Sequence, residues 1–315
     1  MTLYIDRVPI LGEAARGWLS QGRSGKVFAS VTHATYLLTE AGELVWLATP
    51  ESPKHRRCIL WPRSLPTLKV ESSFTIRDGS ICLESGAKLD LRISEVWDTP
   101  FLKVSEVIEF EILPDKLTAI VSNLMDGKTT VGFGLFIPSI LQIARKQDVS
   151  TGFQSDNFLL ATSWSIVEKI TRACLSHDLP VVLKQADALI GLGEGLTPSG
   201  DDFLGGLFFA CFLLSYSYPS IHFSGSDDLP GWVDAHSSCT NQISFALLRD
   251  NASGHTLEPL NRFGIALLTD QPVEAVTSAA SDLIKVGHST GWSMLTGFLV
   301  GMLLAFPEEI CISRS

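Results

Sequence analysis

One stretch of the chain concentrates groups that can do chemistry: Gly191-Leu192-Gly193-Glu194-Gly195-Leu196-Thr197-Pro198-Ser199-Gly200-Asp201-Asp202-Phe203-Leu204-Gly205-Gly206. Gly191, Gly193 and Gly195 alternate, which lets the backbone take positive φ and approach a ligand closely. Pro198 suits the first turn of a helix, and the apolar residues from Phe203 onward root that helix in a core. Thr197 and Ser199 offer hydroxyls, the amides around Gly200 offer donors at a helix start, and Asp201 and Asp202 offer carboxylates. A plainer reading is that Ser199 and Asp202 form a capping box. The density of glycine, hydroxyl and carboxylate exceeds what one cap needs. The run is not a Walker A loop, because no lysine follows the glycines, and it does not match the dinucleotide fingerprint, because it is not set in a βαβ unit.

A second segment echoes the first. In Val286-Gly287-His288-Ser289-Thr290-Gly291-Trp292-Ser293-Met294-Leu295-Thr296-Gly297, Thr290-Gly291 stand where the first segment has Ser199-Gly200. Leu295 then matches Leu204, and Gly297 matches Gly206. Two helices of this kind can pack closely and aim both N-termini at one cavity, a natural anion site. His288 is a candidate to hydrogen-bond a ligand or to act as acid or base, with a plain surface or capping role as the alternative. Asn241 and Ser244 form an i, i+3 polar pair that adds contacts or simply faces solvent. The candidates are therefore Asp201, Asp202 and His288 for catalysis. Those for ligand contact are Gly193, Gly195, Thr197, Ser199, Gly200, Asn241, Ser289, Thr290 and Gly291. No Ser-His-Asp order and no cysteine nucleophile stands out.

These groups carry a tension, since helix N-termini favour anions and two adjacent carboxylates repel them. One resolution has a carboxylate accept N–H bonds from an amide or ureido ligand while backbone amides hold its anionic end. The other has the aspartates hold Mg²⁺. Adjacent side chains splay apart on a helix, which favours the first, with one aspartate facing the site and the other capping. No metal site is assigned and no cofactor is called for.

The chain has 315 residues, enough for one large domain or two ordinary ones. Apolar residues make up 45% and charged residues 18%, the balance of a folded globular protein. A net charge of −10 with scattered Lys and Arg argues against nucleic acid as a partner. The six cysteines (Cys58, Cys82, Cys174, Cys211, Cys239, Cys311) show no C-x-x-C pair, which suits reduced thiols in the cytoplasm. No basic segment followed by an apolar run opens the chain, so no signal peptide is expected. The apolar stretches 203–214 and 294–306 are shorter than the ~18–20 residues of a bilayer span and read as core helices.

Positioning these groups falls to two kinds of element. Short β-branched and aromatic runs at 27–31, 35–39, 44–47, 73–76, 81–83 and 89–93 alternate with turn chemistry such as Arg77-Asp78-Gly79-Ser80. Further strands are expected around 104–112 and 117–121. Beyond about residue 130 the period becomes helical: Trp164, Val167, Ile170, Thr171 and Cys174 share one face, and helices are expected over 234–248 and 272–286. Segment 220–230 reads as an exposed loop. The fold class is α+β, with a β-rich sandwich or barrel-like part over 1–128 followed by a mainly helical part over 129–315 that carries the glycine-rich motif.

The run Gly191–Gly206, followed by Thr240-Asn241-Gln242-Ile243-Ser244 and then Gly287-His288-Ser289-Thr290-Gly291, resembles the AllH-type family, named for a subunit of oxamate carbamoyltransferase in bacterial allantoin degradation. The resemblance covers most of the chain and is strongest at the first motif. It implies a reaction that interconverts oxalurate plus phosphate with oxamate plus carbamoyl phosphate, performed by a complex with partner subunits. A small anionic or ureido substrate would sit at the Gly191–Gly206 turn. Ser293 stands where some relatives are expected to carry an acidic residue, which argues against a metal there. A different class remains open, a non-catalytic ligand-binding or assembly subunit.

Overall fold

Turn chemistry shapes the first part of the chain. In the computed structural model, which describes residues 8–21, 24–63, 65–125, 129–145, 153–219 and 228–305, residues 1–100 and 101–315 form two compact units. In the first, strand β1 (Ile10–Gly12) runs into helix α1 (Glu13–Leu19), followed by β2 (Ser24–Val31), β3 (Ala34–Thr39), β4 (Leu44–Ala48), β5 (Cys58–Leu60), β6 (Ser73–Arg77), β7 (Ser80–Leu83), β8 (Lys88–Asp90) and β9 (Glu95–Trp97). They make one curled sheet, a half-barrel, in the order β8-β7-β6-β2-β3-β4-β5-β1-β9. The β4–β5 and β1–β9 pairs are parallel and the rest antiparallel. Asp78 (φ 50°) and Gly79 (φ 67°) both take positive φ, so the β6–β7 hairpin closes through a turn whose twist matches its strands. A core of Trp18, Val27, Leu37, Leu47, Phe74 and Ile81 fills the sheet's covered face.

The second unit is mainly helical: α2 (Leu113–Met125), α3 (Ile137–Ala144), α4 (Phe158–Leu175), α5 (Leu179–Ala186), α6 (Ser199–Ser217), α7 (Leu229–Ala235), α8 (Gln242–Ala252), α9 (Glu258–Leu268), α10 (Val273–Leu283) and α11 (Thr290–Met302). The α+β expectation holds. Three local expectations do not. Segment 104–112 forms short 3₁₀ turns and 117–121 lies inside α2. Leu113, Leu117, Ile120, Val121 and Leu124 are buried at helical spacing, so a run that is strand-like over five residues is one stripe of a longer helix. The helix expected over 234–248 is two, because Asn241 caps a fresh start at α8 through Ile243 N–H and Ser244 N–H. The expected loop at 220–230 lies largely outside the described residues, as does Cys311. The other five cysteines are free thiols.

Helix α6 is buried on every side from Gly200 to Cys211, with Phe203, Leu204, Leu207, Phe208 and Phe209 at zero exposure. Each such side chain contributes roughly 1.5–3 kcal/mol of burial. α11 is its partner, and the two are parallel. A methyl group at Gly206 would collide with the Met294 carbonyl, and one at Gly297 with the Phe203 carbonyl. The reciprocal glycines let the two backbones touch. Among the described residues no helix is long and apolar enough to cross a membrane.

Candidate functional site

Parallel packing brings the starts of α6 and α11 together. The Thr197 and Thr290 hydroxyls meet at 3.2 Å, although 93 residues separate them. Each helix opens on a hydroxyl residue, Ser199 or Thr290, followed by a glycine that lets the chain fold back on itself. Gly200 N–H donates to Leu192 O (2.9 Å), and a methyl there would strike Leu189 O. Gly291 N–H donates to Val286 O (2.9 Å), and a methyl there would strike Leu283 O. The echo in the sequence is an echo in space.

Between Leu192 and Pro198 the glycine loop lies over the start of α6. Gly191 (φ 73°), Gly193 (φ 131°) and Gly195 (φ 90°) all take positive φ. A Cβ at Gly193 would sit 2.6 Å from Ser199 N, whereas the space around Gly195 is open. Ser199 is the first residue of α6, whose N-cap, Pro198, makes no side-chain cap bond, so the capping box does not form.

Asp201 is the fastener of this loop. It is 3% exposed; Oδ1 accepts from Gly191 N–H at 2.6 Å and Oδ2 accepts from the Thr240 hydroxyl. Burial raises its pKa, and the bonds from Gly191, Thr240 and Ser244 oppose that rise. Asn241 is a second fastener: Oδ1 caps α8, while Nδ2 donates to Leu196 O at 3.0 Å, where the Ser244 hydroxyl also donates at 3.3 Å. Thr240 was not among the sequence candidates. Its signals are a hydroxyl placed just before a capping asparagine and its place at the head of the Thr240–Ser244 run.

Asp202 differs. It is 7% exposed, and its Oδ2 has no hydrogen-bond partner. Burial pushes its pKa well above the usual carboxylate range; the Thr290 hydroxyl opposes this, the Asp201 charge adds to it, and the Thr197 hydroxyl opposes it again. The carboxyl thus belongs to the junction of the two helices, with a hydroxyl from each side. Ser293, at the matching position of α11, is fully buried, and its hydroxyl also lacks a partner. Ser289 is the residue before α11 and makes no side-chain cap bond. His288 is exposed on the turn ahead of it. No cluster of three or more His, Cys, Asp or Glu that could hold a metal ion occurs among the described residues.

Residues 189–302 match the model of a family described as oxamate carbamoyltransferase subunit AllH. This segment is similar to the AllH family over just over a third of the chain. The AllH match opens just before the glycine loop and closes on Met302, the last residue of α11, so it spans both converging helices. No solved structure matches the chain.

Proposed function

We propose that the chain serves as a subunit of a carbamoyltransferase complex that interconverts oxalurate plus phosphate with oxamate plus carbamoyl phosphate, in the cytoplasm and in the catabolism of allantoin nitrogen. The observation that carries this reading is the coincidence of the AllH-like segment with the paired helix starts. In the phosphorolytic direction a phosphate oxygen attacks the terminal carbamoyl carbon of oxalurate. The C–N bond to the oxamate nitrogen breaks, and the hydrogen phosphate proton passes to that nitrogen. Such chemistry needs positioning and stabilisation of charge developing on the carbonyl oxygen. The first-turn amides of α6 and α11, with the hydroxyls of Thr197, Ser199 and Thr290, supply donors of the right kind. His288, on the exposed turn just ahead of α11, is the proposed carrier of the proton.

The test is turnover of the assembled complex, followed as carbamoyl phosphate by phosphorus NMR. A Thr197→Val, Thr290→Val double variant is expected to lower kcat/KM by roughly a hundredfold, the scale of a lost oxyanion donor. Equal turnover with this chain omitted would overturn the reading. A second reading, an assembly or ligand-sensing subunit, draws on the inward bonds of Asp201 and Asn241, which stiffen the loop and do not face a substrate. It would be selected if the double variant kept full turnover while omission of the chain abolished it.

A further inference from the structure

Asp202 presents an acceptor without a donor at a place where donors otherwise collect. Its Oδ2 is buried and unpartnered, and the Thr197 and Thr290 hydroxyls beside it bond each other. Within the first turns, Gly200 N–H and Asp202 N–H are taken by Leu192 O and Pro198 O, and Gly291 N–H and Ser293 N–H by Val286 O and Ser289 O. The amides of Asp201 and Trp292, at equivalent places in the two helices, have no acceptor among the described residues. The junction therefore combines a lone acceptor with donors that favour negative charge.

Oxalurate, oxamate and carbamoyl phosphate share that complement: an H₂N–C=O group in the same molecule as anionic oxygens. We propose that Asp202 reads the carbamoyl end of the ligand, its unpartnered oxygen accepting an N–H bond from the –NH₂ while the free first-turn amides of α6 and α11 hold the anionic oxygens. The inference rests on the carbamoyl-transfer reading and adds the residue that sets specificity. Oxalate, which replaces –NH₂ with a charged oxygen, brings repulsion to the position where the carboxylate needs a donor. A site built around such a bond rejects the analogue that lacks it.

A pH dependence follows. The titratable group acting on Asp202 is Asp201 on the same helix; α11 and the glycine loop face it with Thr290 and Thr197, which do not titrate. In the free protein burial favours the protonated acid. An amide N–H supplies the missing donor and favours the carboxylate, so oxamate binding releases a proton and strengthens as pH rises, up to a plateau. Oxalate favours the protonated acid, and its binding weakens over the same range.

The experiment is calorimetric titration of the full chain with oxamate and with oxalate from pH 5 to 8, for the wild type and Asp202→Asn. The wild type is expected to prefer oxamate by about tenfold or more at pH 8, with the preference growing with pH. In Asp202→Asn the preference should fall to within about threefold and lose its pH dependence. The wild-type pH profile, with proton release measured in buffers of different ionisation enthalpy, tests the idea even if the variant does not fold. A preference that survives the substitution, or one independent of pH in the wild type, would overturn the assignment and leave carbamoyl transfer standing. Binding of neither ligand would also overturn it, whereas failure of the transfer reading shows separately, as unchanged turnover when the chain is omitted.

Discussion

A carboxyl enclosed at the junction of two helix starts feels opposed forces: helix ends and hydroxyls favour its charge, and loss of water disfavours it. For Asp202 burial is the largest effect, so its folded-state pKa lies above the unfolded value of 3.8. The folded protein then holds the proton more tightly than the unfolded chain. The resulting stability is fully present below the unfolded pKa and is lost as pH rises through the folded one. Asp202→Asn removes this loss. The variant and wild type should melt together near pH 4, with the variant higher by a few degrees at neutral pH, read by thermal denaturation across that range. A variant that melts lower at neutral pH would show a charged, well-paired carboxylate in its place. Asp201 should behave differently, because both of its oxygens are bonded. Asp201→Ala strands the Gly191 N–H and the Thr240 hydroxyl and should cost about 1–3 kcal/mol in denaturant unfolding.

The elements matter through what they hold at their ends. Asn241 ties two of them, capping α8 with its oxygen and gripping the glycine loop with its nitrogen. Asn241→Ala should cost about 1–2 kcal/mol, and Asn241→Asp should keep the cap and release the loop. Ligand affinity should fall in both, while unfolding free energy should recover in the Asp variant. The crossing of α6 and α11 is less forgiving: Gly297→Ala drives a methyl into the Phe203 carbonyl and should destabilise by about 3 kcal/mol, checked by chemical unfolding. Much of this framework is legible in the sequence wherever the signal is local. The Asp78-Gly79 turn, the buried stripe of α4 and the hydroxyl–glycine starts of α6 and α11 each depend on neighbours within a few residues. Segment 117–121 looks strand-like only over a five-residue window, too short to show the helical stripe of α2. A helical period continues through 236–241, and only the capping bonds of Asn241 break it. The division of labour between Asp201 and Asp202 was legible only as a choice between two identical side chains. What decides it is Thr240, 39 residues away, and Thr290, brought in by helix packing.

At the scale of the whole molecule, charge sets how an anionic ligand arrives. The chain carries −10, and the donors at the helix junction are backbone dipoles and hydroxyls, whose field fades within about one turn. A distant carboxylate or phosphate therefore meets net repulsion before it meets the site. Salt reaches the long-range part first: the Debye length falls from about 30 Å at 0.01 M to about 8 Å at 0.15 M ionic strength. Raising salt over that range should speed association of oxamate or phosphate by a few-fold and leave dissociation nearly unchanged. The behaviour of a site steered by clustered Lys and Arg is the reverse, with association slowing steeply as salt is added. Stopped-flow binding at several ionic strengths separates the two, and slowing would place a cationic patch, not the helix starts, in control of capture.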